Sequence, residues 1–229
     1  MPTTRKKLLF LAGFGTSLGS LATVCLALAT PQWVTGRIEF SDSSFSNGSV
    51  VLTYGLFRGE SSQELTSGLG QSDLAFEVLT TLSDSSPKSL HSAVIALLFL
   101  SLFTSLLSSG LTLFNSISNP YQTWLGPTSI FTWNGLNAAF VLGAMVLFAV
   151  NTQANGLSAA MSSALYLSQD YSYGGASHSY LYAFWLLLLV LALNALTVAV
   201  VAFYQNARYH RQQKRRKPME NAPRDGILF

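Results

Sequence analysis

The sequence predicts an all-α membrane protein, a four-transmembrane-helix bundle with a small β-containing first extracellular loop. Three observations carry that prediction. Residues 8–29, 92–114, 131–150 and 180–203 are apolar and contain no Asp, Glu, Lys or Arg, and each is long enough to cross a hydrocarbon core that needs about 20 helical residues. Only 10% of the 229 residues are charged, against roughly 25% in soluble domains, so lipid is the main solvent. Positive charge is concentrated at the ends. Arg5, Lys6 and Lys7 precede the first stretch, and Arg208, Arg211, Lys214, Arg215, Arg216, Lys217 and Arg224 follow the fourth, leaving Arg37, Arg58 and Lys88 elsewhere. By the positive-inside rule both termini are cytoplasmic, which requires an even number of spans.

The elements follow in order. Residues 1–7 form a cytoplasmic N-terminus and 8–29 the first span. Ala27-Leu28-Ala29 after an apolar run imitates a cleavable signal, but the run is about twice the 7 to 15 residues of such segments, and Trp33 beyond it suits an interfacial anchor, so the span is expected to be retained. Residues 30–91, the first extracellular loop, are too many for a mere connector. Val34, Ile38 and Phe40 alternate, Val50 to Phe57 is β-rich, and Asn47-Gly48 between them predicts a hairpin turn. Asn47-Gly48-Ser49 is also the chain's one N-glycosylation sequon, placed outside by the charge rule. Leu74, Val78, Leu79 and Leu82 recur at helical spacing, predicting a short amphipathic helix before Pro87.

Span two (92–114) and span three (131–150) are joined by an uncharged cytoplasmic loop, 115–130, broken by Asn119-Pro120 and Gly126-Pro127. In the second extracellular loop, 151–179, Leu157, Met161, Ala164 and Leu165 predict that span three continues as helix, ahead of a Tyr- and Gly-rich stretch read as an interfacial anchor or contact surface. Span four (180–203) leads into a basic cytoplasmic tail, 204–229. The four tryptophans, Trp33, Trp124, Trp133 and Trp185, fall near span ends and read as interfacial belt residues.

Small residues mark helix-packing faces. Gly15 and Gly19, with Thr23 four residues on, form one stripe, and Gly135, Ala139 and Gly143 form another. Span two carries Ser101, Thr104, Ser105, Ser108, Ser109 and Thr112, and span four has the mid-membrane Asn194 beside Ala192, Ala195 and Ala199. These faces serve packing within the bundle or lateral association with another membrane protein.

Chemistry is sparse. Gly15-Thr16-Ser17-Leu18-Gly19 matches the G-x-S-x-G string of serine hydrolases but lies in an apolar helix, where no strand-turn-helix exposes the serine. His91, His178 and His210 have no metal-ligand partners at useful spacing, and the carboxylates of residues 30–91 are scattered rather than paired. No enzyme, cofactor, metal site or small-molecule substrate is expected. The run Lys214 to Lys217 sits beside a span, so anionic membrane lipid rather than nucleic acid is its expected partner. The single cysteine, Cys25, excludes an intramolecular disulfide. The C-terminal Gly226-Ile227-Leu228-Phe229 fits strand addition to a PDZ-type cytoplasmic partner, with Phe229 in the terminal pocket and Ile227 in a second.

Thr30-Pro31-Gln32-Trp33, Tyr54-Gly55-Leu56-Phe57-Arg58-Gly59-Glu60, Gly126-Pro127 and Phe184-Trp185 together resemble the clarins. That resemblance covers essentially the whole chain. Clarins are similar to the claudin-like tetraspans, whose first loop carries a Trp, a later Gly-Leu-Trp and two cysteines; Trp33 and Gly55-Leu56-Phe57 occupy comparable places, and the cysteines have no counterpart. The resemblance implies a glycosylated plasma-membrane protein that organises membrane complexes and actin-linked structures, with a sensory role in other members. The expected function is therefore that of a non-enzymatic lateral organiser or adaptor. The alternatives are claudin-like cell–cell adhesion and, behind it, a channel or transporter component.

Overall fold

In lipid, every backbone amide must find its partner within the protein, and an uncharged apolar stretch achieves this as a helix. The computed structural model describes residues 4–42, 47–65, 71–83, 86–117, 126–166 and 171–216. In chain order the elements are α1 (Thr4–Ala29), β1 (Val34–Asp42), β2 (Asn47–Tyr54), β3 (Arg58–Leu65), β4 (Gln71–Glu77), α2 (Val78–Thr81), α3 (Ser86–Ile117), α4 (Pro127–Gln153), α5 (Leu157–Leu165), β5 (Tyr171–Tyr180) and α6 (Tyr182–Arg216). Among the described residues, four helical stretches are long and apolar enough to cross a membrane: Lys7–Ala29, Ser86–Ile117, Pro127–Gln153 and Tyr182–His210. Pro127 sits in the first turn of α4, where its missing N–H removes nothing from the helix.

The four long helices close a ring in which α1 packs on α3 and α6, and α4 packs on the same two. Leu18, Phe99, Phe103, Leu142, Val146 and Leu196 stay exposed on its outside, the surface that lipid covers in a membrane protein. Cys25 is also exposed.

One end of the ring is capped by a five-stranded antiparallel sheet of order β4-β3-β2-β1-β5. Val34, Ile38 and Phe40 of β1 and Val50, Leu52 and Tyr54 of β2 are all buried, the period-2 pattern of one covered sheet face. Val34 pairs with Tyr54 and Ile38 with Val50, so the apolar positions share that face.

Several expectations are corrected. Asn47 and Gly48 are not the turn: they open β2, opposite Ser41 and Phe40. Leu74 belongs to β4 and is exposed, and helix is confined to Val78–Thr81. Strands β3 and β4 give no apolar alternation because the covered positions of β3 are Ser61 and Gln63, both buried; Ser61 bonds the Tyr166 hydroxyl at 2.9 Å. The third span does not continue beyond the bundle. Helix α4 ends at Gln153, the chain turns through Gly156 in the left-handed region (φ +60°), and the helix expected from Leu157, Met161, Ala164 and Leu165 follows as the separate α5. Finally, the Tyr- and Gly-rich stretch forms β5, which pairs along β1 and joins the second connection to the first in one sheet.

Candidate functional site at the junction of sheet and bundle

The residues of the family-like loop motif converge where the sheet meets the helices. Trp33 is fully buried, and its indole Nε1 donates to the Ala27 carbonyl at 2.8 Å. Its ring meets Phe148 of α4 edge-on at 5.0 Å and Phe184 of α6 at 6.4 Å. Its backbone N–H donates to Tyr54 O at 3.0 Å, and its carbonyl accepts from Leu181 N at 2.9 Å. Trp33 is thus a core pin between α1, β2, α4 and α6. The belt expectation is corrected here: the indole finds its acceptor on a carbonyl of the last turn of α1, so it turns inward. Trp185 does lie on the outside, and Trp124 falls outside the described residues.

After Tyr54 the chain turns back through Gly55, whose N–H donates to Arg58 O at 2.9 Å. A Cβ on Gly55 would lie 2.5 Å from Thr30 O and 2.7 Å from Pro31 Cα, so only glycine lets this turn touch the chain leaving α1. Leu56 is fully buried, and its carbonyl accepts from Nε2 of the buried His91 on α3 at 2.8 Å. His91, for which the sequence offers no metal-ligand partner at useful spacing, clasps the loop to the bundle. Gly59 is similarly constrained, its virtual Cβ 2.7 Å from the Cβ of Tyr54. Phe57 and Arg58 point outward. Tyr54, Gly55, Leu56 and Gly59 therefore build the junction, and Phe57 and Arg58 are what it presents.

A polar chain links the junction to the edge strand. Tyr54 hydroxyl and Ser158 hydroxyl lie 2.8 Å apart, and Ser158 lies 3.3 Å from His178 Nδ1. Burial pushes the Tyr54 phenol far above its ordinary value, and burial also holds His178 below its own. Gly36, opposite His178 in the register, leaves room for this contact: a Cβ there would be 2.7 Å from Ser158 Oγ.

Within the bundle the hydroxyls and amides face one another. Thr16 and Thr197 are 2.7 Å apart, Ser20 donates to Asn194 Oδ1 at 3.0 Å, and Ser101 donates to Asn137 Oδ1 at 2.8 Å. Asn134 Nδ2 donates to Ser108 Oγ at 2.7 Å, and Ser108 also meets Ser17 at 3.3 Å. Asn134 and Asn137 were not singled out from sequence. Their signal was there: two amides three residues apart in an uncharged span lie on one helix face.

The glycine stripes divide. A Cβ on Gly19 would meet Leu193 of α6 at 3.5 Å and one on Gly143 would meet Leu97 of α3 at 3.5 Å, so both lie at seams between helices. Gly15 and Gly135 have nothing within 4 Å, and Ala139 is exposed. For these three, packing within the bundle is corrected: they face outward. Ile227 and Phe229 lie outside the described residues, and Asn47 is placed only as the first residue of β2.

A family model described as Clarin-2, Clarin-2-like, matches residues 5–201. The chain belongs to the clarin family. It is 57% identical to Clarin-3 of Homo sapiens and 56% identical to Clarin-3 of Mus musculus, each over 229 residues and the whole of both chains. Clarin-1 of Homo sapiens is 25% identical over 215 residues, covering 89% of this chain and 91% of that protein. This clarin is accordingly a four-span, multi-pass membrane protein, and the sheet-capped ring is its fold.

Proposed function

We propose that this clarin is a non-enzymatic lateral organiser of membrane protein complexes. The observation that carries the reading is the outward placement of Gly15 and Gly135, where an added Cβ meets nothing. Small residues on a lipid-facing surface let another helix backbone approach closely, and packing of that kind drives helix association where the hydrophobic effect is absent. In the same reading the protein sits in the plasma membrane with both termini cytoplasmic, the sheet outside and Asn47 glycosylated. The sensory-cell and actin-linked setting that the family resemblance implies belongs to this proposal, as does capture of a PDZ-type partner by Ile227 and Phe229.

The test is partner recovery in mild detergent from cells expressing the intact chain, Gly15→Leu or Gly135→Leu. A defined membrane partner that co-purifies with the intact chain and is reduced at least tenfold by one glycine substitution is the expected result. Recovery no greater than that of an unrelated four-span control, with every form at the cell surface, would sink the reading.

A second reading, cell–cell adhesion, is favoured by one specific feature. The outer face of the sheet exposes Arg37, Glu39, Glu60 and Glu64, and β4 and β5 are its two edge strands. Clustering only where two expressing cells touch would put adhesion first; an even distribution around such cells would remove it.

A further inference from the structure

Three of the four seams of the helix ring are bridged by direct side-chain hydrogen bonds. Thr16–Thr197 and Ser20–Asn194 join α1 to α6, Ser17–Ser108 joins α1 to α3, and Ser101–Asn137 and Asn134–Ser108 join α3 to α4. Among the described residues, no such bond joins α4 to α6. Yet these two helices, with α3 beside them, carry polar atoms in mid-bundle that have no partner among the described residues: Asn134 Oδ1 and Asn137 Nδ2 on α4, Asn194 Nδ2 on α6 and Ser105 Oγ on α3. Their residues are 2%, 0%, 3% and 1% exposed, in that order.

The bonded pairs place these residues in the same stretch of the bundle. Ser17 meets Ser108 across an antiparallel seam, so Ser20, three residues further along α1, stands beside Ser105, three residues back along α3. Ser20 is bonded to Asn194, which brings α6 to the same level. Ser101 and Ser108 bond Asn137 and Asn134 and bracket Ser105 from either side. Asn134 and Asn137 are themselves three residues apart, about 4.5 Å of axial rise, and Ser105 lies between the two serines that hold them.

Their chemistry is complementary to one small molecule. The two amide nitrogens only donate, Asn134 Oδ1 only accepts, and the serine hydroxyl does either. A water molecule accepts two hydrogen bonds and donates two, and buried waters are held by 2 to 4 such partners. With the amides oriented as they are bonded here, a cation would be repelled by the two amide N–H groups, and an apolar filler would leave every group unsatisfied. Rotating either amide changes which atom is left over without removing it: turned by 180°, Asn194 would donate to Ser20 and present Oδ1 instead. We propose that the centre of the bundle binds a structural water that bridges α4 to α6 through Asn137, Asn194, Asn134 and Ser105, supplying the one seam that lacks a direct bond.

The test is water-selective NMR on the intact, asparagine-labelled chain in bicelles, reading transfer from the water line to side-chain amides. Cross-peaks of the sign given by a long-lived bound water are expected at both Asn137 and Asn194. In Asn194→Leu the Asn137 peak should weaken at least twofold, because the bridge has lost one partner. Relay of exchange through the Ser101 hydroxyl would instead leave that peak unchanged, and this outcome overturns the bridge. So do resolved amides with no water peak in the unsubstituted protein. Should Asn194→Leu not fold, Ser105→Ala removes one hydroxyl and adds no bulk. Weakening at both amides is then expected, and unchanged peaks there would equally overturn the proposal.

Discussion

The bundle interior and the sheet–bundle junction bury comparable groups by opposite means. In the interior, short hydroxyls and amides meet in pairs such as Thr16–Thr197 and Ser101–Asn137, each a modest interaction with alternatives one turn away. At the junction, one tryptophan packs its ring against two helices and, through its indole N–H and its own main chain, bonds three backbone segments, and a glycine lies against main chain with no room for a methyl group. The difference teaches where single changes matter. Helices in lipid keep their backbone bonds whatever their side chains do, whereas the sheet is docked by a few contacts that have no substitutes.

The largest effect is therefore expected at Trp33. Trp33→Ala removes a fully buried ring together with the Ala27 and Phe148 contacts, and aromatic truncations of this kind cost about 3–5 kcal/mol. Thermal unfolding in detergent and surface delivery should both fall sharply, and a midpoint within a degree of the parent would show that the sheet is docked by something else. Gly55→Ala comes next. Its added carbon meets the Thr30 carbonyl and Pro31 backbone, not the end of a flexible side chain, and overpacking costs about 1–3 kcal/mol. Limited proteolysis should cut residues 58–77 faster while the helices stay intact; unaltered cleavage would mean that the turn can shift at no cost.

In the bundle the expected penalty is smaller. Ser108 accepts from Asn134 and meets Ser17, so it touches two neighbouring helices at once. Ser108→Ala should still cost only about 0.6–1.7 kcal/mol, the range for hydrogen bonds between membrane helices. A loss as large as that of Trp33→Ala would erase the contrast drawn between the two regions.

The two regions also differed in how openly they were written in the sequence. The long helices were legible because lipid imposes one rule on every residue of a span, and the absence of charge over some twenty positions is a strong signal. Strands β1 and β2 were legible through Val34, Ile38, Val50 and Leu52. Strands β3, β4 and β5 were not, because Ser61 and Gln63 hold the covered positions of β3, Leu74 of β4 stays exposed, and β5 is an edge rich in Ser, Gly and Tyr. The inward turn of Trp33 was hidden for another reason. A tryptophan two residues beyond a proline after a span reads as an interfacial anchor, and only the long-range placement of Phe148 and Phe184 turns it into core. The outward stripes were half legible: Gly15 and Gly135 announce a packing face, but which way it looks depends on helix rotation, which spacing alone does not encode.

A smaller effect follows from His178. Burial holds its folded-state pKa below the ordinary 6.5, so the folded protein favours the neutral ring. The resulting stability is fully present above about pH 6.5 and is lost as pH falls below it towards the folded value. Hydrogen exchange along β1 and β5, taken relative to the intrinsic amide rate at each pH, should quicken between pH 7 and 5.5, and His178→Gln should flatten that change. Exchange that keeps its pH dependence in the variant would assign it elsewhere.

The smallest expected effect on stability is at Gly135. Leucine there adds a side chain to a helix surface with open space around it, and it replaces a residue that is about 1 kcal/mol poorer in helix propensity than alanine. Purified alone, Gly135→Leu should unfold at the parent temperature or slightly above. The same substitution at Gly143 has less room, since a Cβ already reaches Leu97 at 3.5 Å and the branched end must displace it. Set side by side, the two leucines separate an outward face from an inward one on a single helix. A stability loss at Gly135 equal to that at Gly143 would place both glycines inside the ring, and the outward stripe on which lateral association rests would disappear.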